Sequence, residues 1–141
     1  MEEIITLDQA LKLIRKTLEA EKEREVFYDG LLGVCPNLKE SIIISSMSRE
    51  HRKHSEILRE IYTRLTGEDL PYISFIPEEY SNMSYEEGLE KGLFQDLEEV
   101  TKYRKIMGAM PDGESYTLLM SIMTDMIRNA SRYNFLISIQ K

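Results

Sequence analysis

Four stretches of this chain repeat buried-type residues alternately four and three positions apart, and almost nothing in it alternates with the two-residue period of a strand. That spacing is the seam of a helix packed against other helices, so it confines the chain to an all-α fold. The first stretch spans about 7–34, with Thr6 as N-cap and Gln9 three residues on. Its seam is Leu7, Leu11, Ile14, Leu18, Glu21, Glu25, Tyr28 and Leu32, so two acids fall where leucines belong. The second begins after Pro36 and Asn37, with Glu40 completing a capping box, and runs to about Leu65, where Gly67 stops it. Its seam of Met47, His51, His54, Leu58, Ile61 and Leu65 turns both histidines of the chain inward.

The third stretch starts at Ser84 with Glu87 as box partner and continues to about Ala109. Its seam is Leu89, Leu93, Asp96, Val100, Tyr103 and Met107, again interrupted by an acid. Pro111 and Asp112 restart the chain for the fourth, with seam Leu118, Ile122, Met126, Asn129, Tyr133 and Leu136. Between the second and third lie Pro71, Pro77 and the run Tyr72, Ile73, Phe75 and Ile76, too broken for a bundle helix. A connector of this length suits a crossover running the length of a bundle.

A shift of 75 residues superimposes the two halves, pairing Leu18 with Leu93, Glu21 with Asp96, Tyr28 with Tyr103, Pro36 with Pro111 and Glu50 with Asp125. The chain therefore reads as one domain, 1–141, made of duplicated helical hairpins, 7–65 and 84–139. On that register His51 and His54 of the first copy correspond to Met126 and Asn129 of the second.

Composition narrows the function. The chain is 42% apolar over 141 residues, enough for one real core. Its net charge of −7 argues against nucleic acid or an anionic membrane surface as partner. Arg49, Arg52, Lys53 and Arg59 are interleaved with Glu50, Glu56 and Glu60, which reads as a solvated mixed face. Cys35 stands alone, so no internal disulfide or thiolate metal site can form. The acidic start and the lack of an apolar run of membrane length point to the cytoplasm. No nucleophile elbow, Walker loop or dinucleotide glycine pattern is present.

Inward acids on several helices need compensation, because burying an ionised carboxylate costs several kcal/mol. In bundles they commonly face one another across a cation. Here the sequence resembles the ferritin-like superfamily, most nearly its rubrerythrin-like branch, over almost the whole chain. Glu21 and Tyr28 in AEKEREVFY are similar to that branch's first-helix ligand Glu with a Tyr seven residues later. Asp96, Glu99 and Tyr103 in QDLEEVTKY are similar to its third-helix E-x-x-E and Tyr. HRKHSEIL resembles its second-helix string E-x-x-H-A-E-I-L, with His54 in the ligand place.

The resemblance implies a ferritin-like antiparallel four-helix bundle with a long crossover between helices two and three. It implies a metal site of Glu21, His51, His54, Asp96 and Glu99, holding iron first, with manganese, zinc or nickel as alternatives. It also implies chemistry with oxygen or peroxide as a small-molecule oxidant, in a homodimer. The chain departs from the pattern where His51 replaces a bridging Glu and where Met126 and Asn129 replace the Glu and His of the fourth helix, and it lacks a rubredoxin module.

Each feature also has a structural reading. Inward histidines are commonly hydrogen-bonded core residues. Glu25 can pair with Arg24 or an arginine of another helix, Glu99 can be a solvated flank, and Glu50 and Asp125 can be boundary acids. Tyr28 and Tyr103 fill core and can also hydrogen-bond ligand carboxylates. Arg128 and Arg132 can neutralise Asp96 or Glu21, turning the site into a buried ion-pair network. Two functions therefore compete: a metalloprotein with an asymmetric site, and a non-catalytic relative that acts by association.

Overall fold

The computed structural model of the chain describes residues 3–72 and 83–140. Among them it is all-α, with no strand. The Thr6 hydroxyl accepts the Gln9 N–H at 3.1 Å and the Gln9 side chain accepts the Thr6 N–H at 2.9 Å, which starts α1 (Leu7–Glu19) with two end donors satisfied. The single helix expected over 7–34 is in fact two, since Ala20 separates α1 from α2 (Glu21–Val34). The Ala20 N–H is shared between the carbonyls of Lys16 and Thr17, both at 3.2 Å, which tightens the turn. Glu21 and Glu23 then occupy the first turn of α2, where carboxylates favour a fresh helix start. The seam spacing carries straight across Ala20, and no Pro or Gly marks it, so periodicity alone reads through the break.

The other boundaries follow their capping signals. Asn37 accepts the Glu40 N–H at 3.0 Å to open α3 (Leu38–Thr66); the Glu40 carboxylate bonds the Asn37 side-chain amide at 2.7 Å instead of its backbone. Gly67, at φ 75, closes α3 in the left-handed conformation that glycine adopts without strain. Ser84 caps α4 (Tyr85–Gly108) and Asp112 caps α5 (Gly113–Ser138). Leu38 and Gly113 open α3 and α5, 75 positions apart. Residues 73–82, with Ile73, Phe75, Ile76 and Pro77 of the expected crossover, lie outside the described residues. No described helix is long and apolar enough to cross a membrane.

Two apolar clusters form the core. One joins Ile14 and Leu18 of α1, Leu58 and Ile61 of α3, Tyr103 and Ile106 of α4, and Leu119 and Ile122 of α5. The other joins Phe27, Tyr28 and Leu31 of α2, Ile44 and Met47 of α3, Leu89 of α4, and Tyr133 and Leu136 of α5. Each fully buried side chain of this kind contributes roughly 1.5–3 kcal/mol, so the clusters carry the stability. α3 and α4 pass from the second cluster to the first, whereas α1 followed by α2, and α5, pass from the first to the second. Midway along these paths come Glu21, Arg24, His51, His54, Asp96 and Asn129, a polar layer between two oily ends.

Candidate functional site

The polar layer is built from charge pairs between helices. Glu21, in the first turn of α2, is buried, and its Oε1 and Oε2 accept from Arg59 Nη2 and Nη1 of α3, each at 2.8 Å. This two-pronged geometry matches the guanidinium fork to both carboxylate oxygens. Burial works to raise the Glu21 carboxyl, but hydrogen bonds from Arg59 and Ser55 outweigh it and hold the group below its ordinary value. Arg59 Nε also donates to the Leu70 carbonyl at 3.1 Å, tying the segment after α3 to the same residue.

Asp96 of α4 has 0% exposure. Its Oδ1 accepts from Arg24 Nη2 of α2 at 2.8 Å, and Arg24 also donates to Gln95 Oε1 at 3.2 Å and to the Tyr28 hydroxyl at 3.4 Å. Burial pushes the Asp96 carboxyl above its ordinary value against the pull of Arg24. Asp96 Oδ2 is buried without a hydrogen-bond partner.

The histidines spend their Nε2 atoms on protein acceptors. His54 donates from Nε2 to Asp125 Oδ2 at 2.9 Å, which leaves Nδ1 buried and unpartnered. His51 Nε2 donates to the Glu21 carbonyl at 3.3 Å, beside the α1–α2 break, and its ring lies 5.9 Å from that of Tyr28. Burial and the nearby Arg24 charge push the His51 imidazole down to about 4, so the ring is neutral near neutral pH. Glu99 pairs with Lys102 at 2.5 Å, and Lys102 also donates to the Thr17 hydroxyl at 2.7 Å.

The structure thus buries three of the five expected metal ligands, Glu21, His54 and Asp96, sets His51 and Glu99 half-buried around them, and gives each its own protein partner. Among the described residues no three His, Cys, Asp or Glu side chains are grouped to hold a metal ion. As arranged, the donor set does not fit a divalent cation: two guanidiniums already stand against Glu21 and Asp96, and a cation there meets their repulsion.

The counter-ions also differ from those expected. Arg132 pairs with Glu50 at 2.8 Å, and Arg128 pairs with Glu50 and with Asp125; neither reaches Asp96 or Glu21. Arg24 and Arg59 do that work. Each sits one position off a seam residue, Arg24 beside Glu25 and Arg59 beside Leu58, and nothing in the spacing pairs them with Asp96 and Glu21. Glu25 meets Lys22 at 3.4 Å and the Tyr72 hydroxyl at 2.7 Å, with no arginine. Met126 and Asn129 do face inward, both buried, and Asn129 Oδ1 accepts from Arg132 at 2.8 Å.

The chain matches no protein-family model and no curated protein. Its backbone is similar to the crystal structure of a conserved hypothetical protein, rv2844, from Mycobacterium tuberculosis, with a TM-score of 0.79 at 12% sequence identity over 96% of each chain. At that identity the likeness concerns the fold alone.

Proposed function

We propose that this chain is a ferritin-like protein of rubrerythrin-like ancestry in which arginines neutralise the inward carboxylates in place of metal, and that it acts by binding rather than by redox chemistry. The observation that carries this reading is the pair of guanidinium contacts on Glu21 and Asp96. A buried carboxylate already paired with a fixed cation has no electrostatic need of another.

The architectural half is an antiparallel four-helix bundle in which α1 and α2 together make the first rod. It is supported by the senses of the helices through the two clusters, since α3 and α4 run the same way while α1 with α2, and α5, run the other. The proposed working form is a cytoplasmic homodimer. Phe94, 62% exposed, with Leu97 on α4 and Ile127 on α5, supplies apolar surface for such contact.

A second reading keeps the metal. It is favoured by His51, His54 and Glu99 lining one cavity. It requires Arg24 and Arg59 to leave Asp96 and Glu21, with iron the first candidate.

A double-mutant cycle separates the two. Arg24→Met alone leaves Asp96 buried and unpaired and is expected to cost about 3–5 kcal/mol, while Arg24→Met with Asp96→Asn recovers a large part of that loss. Strictly additive effects in urea unfolding, or an Arg24→Met protein rescued by added iron, would overturn the reading.

A further inference from the structure

α4 and α5 each carry a second heptad seam, turned away from the core. On α4 it is Glu90, Phe94, Leu97, Thr101 and Arg104, and on α5 it is Met120, Thr124, Ile127, Ser131 and Asn134. Both step alternately by four and three residues, and every one of these side chains is exposed. The other flank of α4 is taken, since Gln95 and Lys102 meet Arg24 of α2 and Thr17 of α1. The other flank of α5 is taken too, since Asp125 and Arg132 meet His54 and Glu50 of α3. The two outer seams therefore open on the one face that α4 and α5 share. Gly92 lies against Tyr133 and the helices run in opposite senses, which brings Leu97 about level with Ile127 at the middle of that face.

The middle of the face carries no charge, although 30% of the chain is charged. Beyond its first turn α5 has only Asp125, Arg128 and Arg132, and all three are engaged on the α3 side with His54 and Glu50. Phe94, Leu97, Met120 and Ile127 are instead 41–62% exposed. An apolar centre poor in charge, with aromatic and Met side chains inside a polar rim, is the make-up of a protein interface. The segment leaving α3 does not cover it, because Tyr72 bonds Glu25 of α2 at 2.7 Å on the far side of the bundle.

The rim charges identify the occupant. Glu90 stands seven residues before Leu97 and Arg104 seven after it. A second α4 laid antiparallel, with a two-fold axis crossing at Leu97, sets Glu90 opposite the partner's Arg104 and Arg104 opposite the partner's Glu90. A parallel α4 would set like charge on like. A guanidinium has five donors, so Arg104 can take this carboxylate and keep its interaction within the chain. The same axis passes by Ile127, where α5 meets its own copy. Two such helices side by side offer an outline of about 36 by about 20 Å, roughly 700 Å², close to the ~800 Å² per subunit of a standard interface.

We propose that this face docks a second copy of the chain, α4 on α4 and α5 on α5, about a two-fold axis through Leu97 and Ile127. The proposal rests on the homodimer reading above and gives it a face and a register.

Sedimentation equilibrium of the full chain between about 1 and about 200 µM tests it, with circular dichroism to show that each variant keeps its fold. A dimer is expected. Leu97→Arg should weaken it by about a hundredfold or more, because the axis sets each new charge against its own copy. Ile42→Arg, at an exposed position of α3 away from the face, should leave it unchanged. Glu90→Arg and Arg104→Glu should each weaken it by about tenfold, and the two together should restore it. A dimer that survives Leu97→Arg, one that Ile42→Arg dissociates equally, or a double charge swap no tighter than its single variants overturns the assignment. Each of those leaves the function above standing, with its contact elsewhere. A chain monomeric throughout removes the homodimer as well, while the unfolding cycle on Arg24 and Asp96 still decides whether arginines balance the buried acids.

Discussion

Arg59 lays its guanidinium across both oxygens of Glu21, each contact 2.8 Å, and so pins α2 to α3 at the point where α1 ends. Because the geometry is two-pronged, a point charge cannot reproduce it. Arg59→Lys is expected to lower stability by about 1 kcal/mol and Arg59→Met by about 3 kcal/mol, with the larger loss coming from the buried carboxylate left behind. Urea unfolding checks both; equal losses would mean that the fork shape contributes nothing.

Protonation gives a second test. His51 has an ordinary value of 6.5 and is held at about 4 in the folded chain, so between those values the unfolded chain takes up a proton that the folded chain refuses. Stability contributed by the neutral ring is therefore present above pH 6.5 and is lost as pH falls toward 4. From pH 7 to 5 the loss should be about 1–2 kcal/mol. His51→Gln, which keeps a donor for the Glu21 carbonyl, should flatten that slope. Glu21, held below its ordinary 4.5, adds a loss of its own as pH falls through that value, so the His51 slope is read between pH 7 and 5.

Gly92 shows how closely α4 and α5 approach. A Cβ built there overlaps the ring of Tyr133, which is fully buried and cannot swing away. Gly92→Ala gains up to about 1 kcal/mol of helix propensity but should lose about 1–3 kcal/mol to overpacking, for a net fall in melting temperature. Tyr133→Phe should not rescue it, because the ring carbons clash as well as the hydroxyl. Gly108→Ala, in the same helix with nothing near the added carbon, is the control and should be neutral or stabilising.

The helices and their inward faces were legible because burial follows spacing. Met47, His54, Leu58, Asp96, Met126, Asn129 and Tyr133 are all buried where the seams put them. The capping residues Thr6, Asn37, Ser84 and Asp112 mark their helix starts for the same local reason. The break at Ala20 was not legible, since it carries neither Pro nor Gly and leaves the seam in phase. The partners of the inward acids were not legible either. Spacing says which way a residue faces on its own helix, but Arg24 meets Asp96 across 72 positions and Arg59 meets Glu21 across 38, and those distances are set by how the helices pack.

The central claim is that guanidinium groups, and not a metal, balance the buried carboxylates. Elemental analysis of protein purified without chelator, then incubated anaerobically with ferrous, manganous and zinc ions and desalted, tests it most directly. The account predicts metal far below one equivalent per chain and no metal-dependent rise in melting temperature. One tightly held equivalent, lost in a Glu21→Ala and His54→Ala double variant, would contradict it.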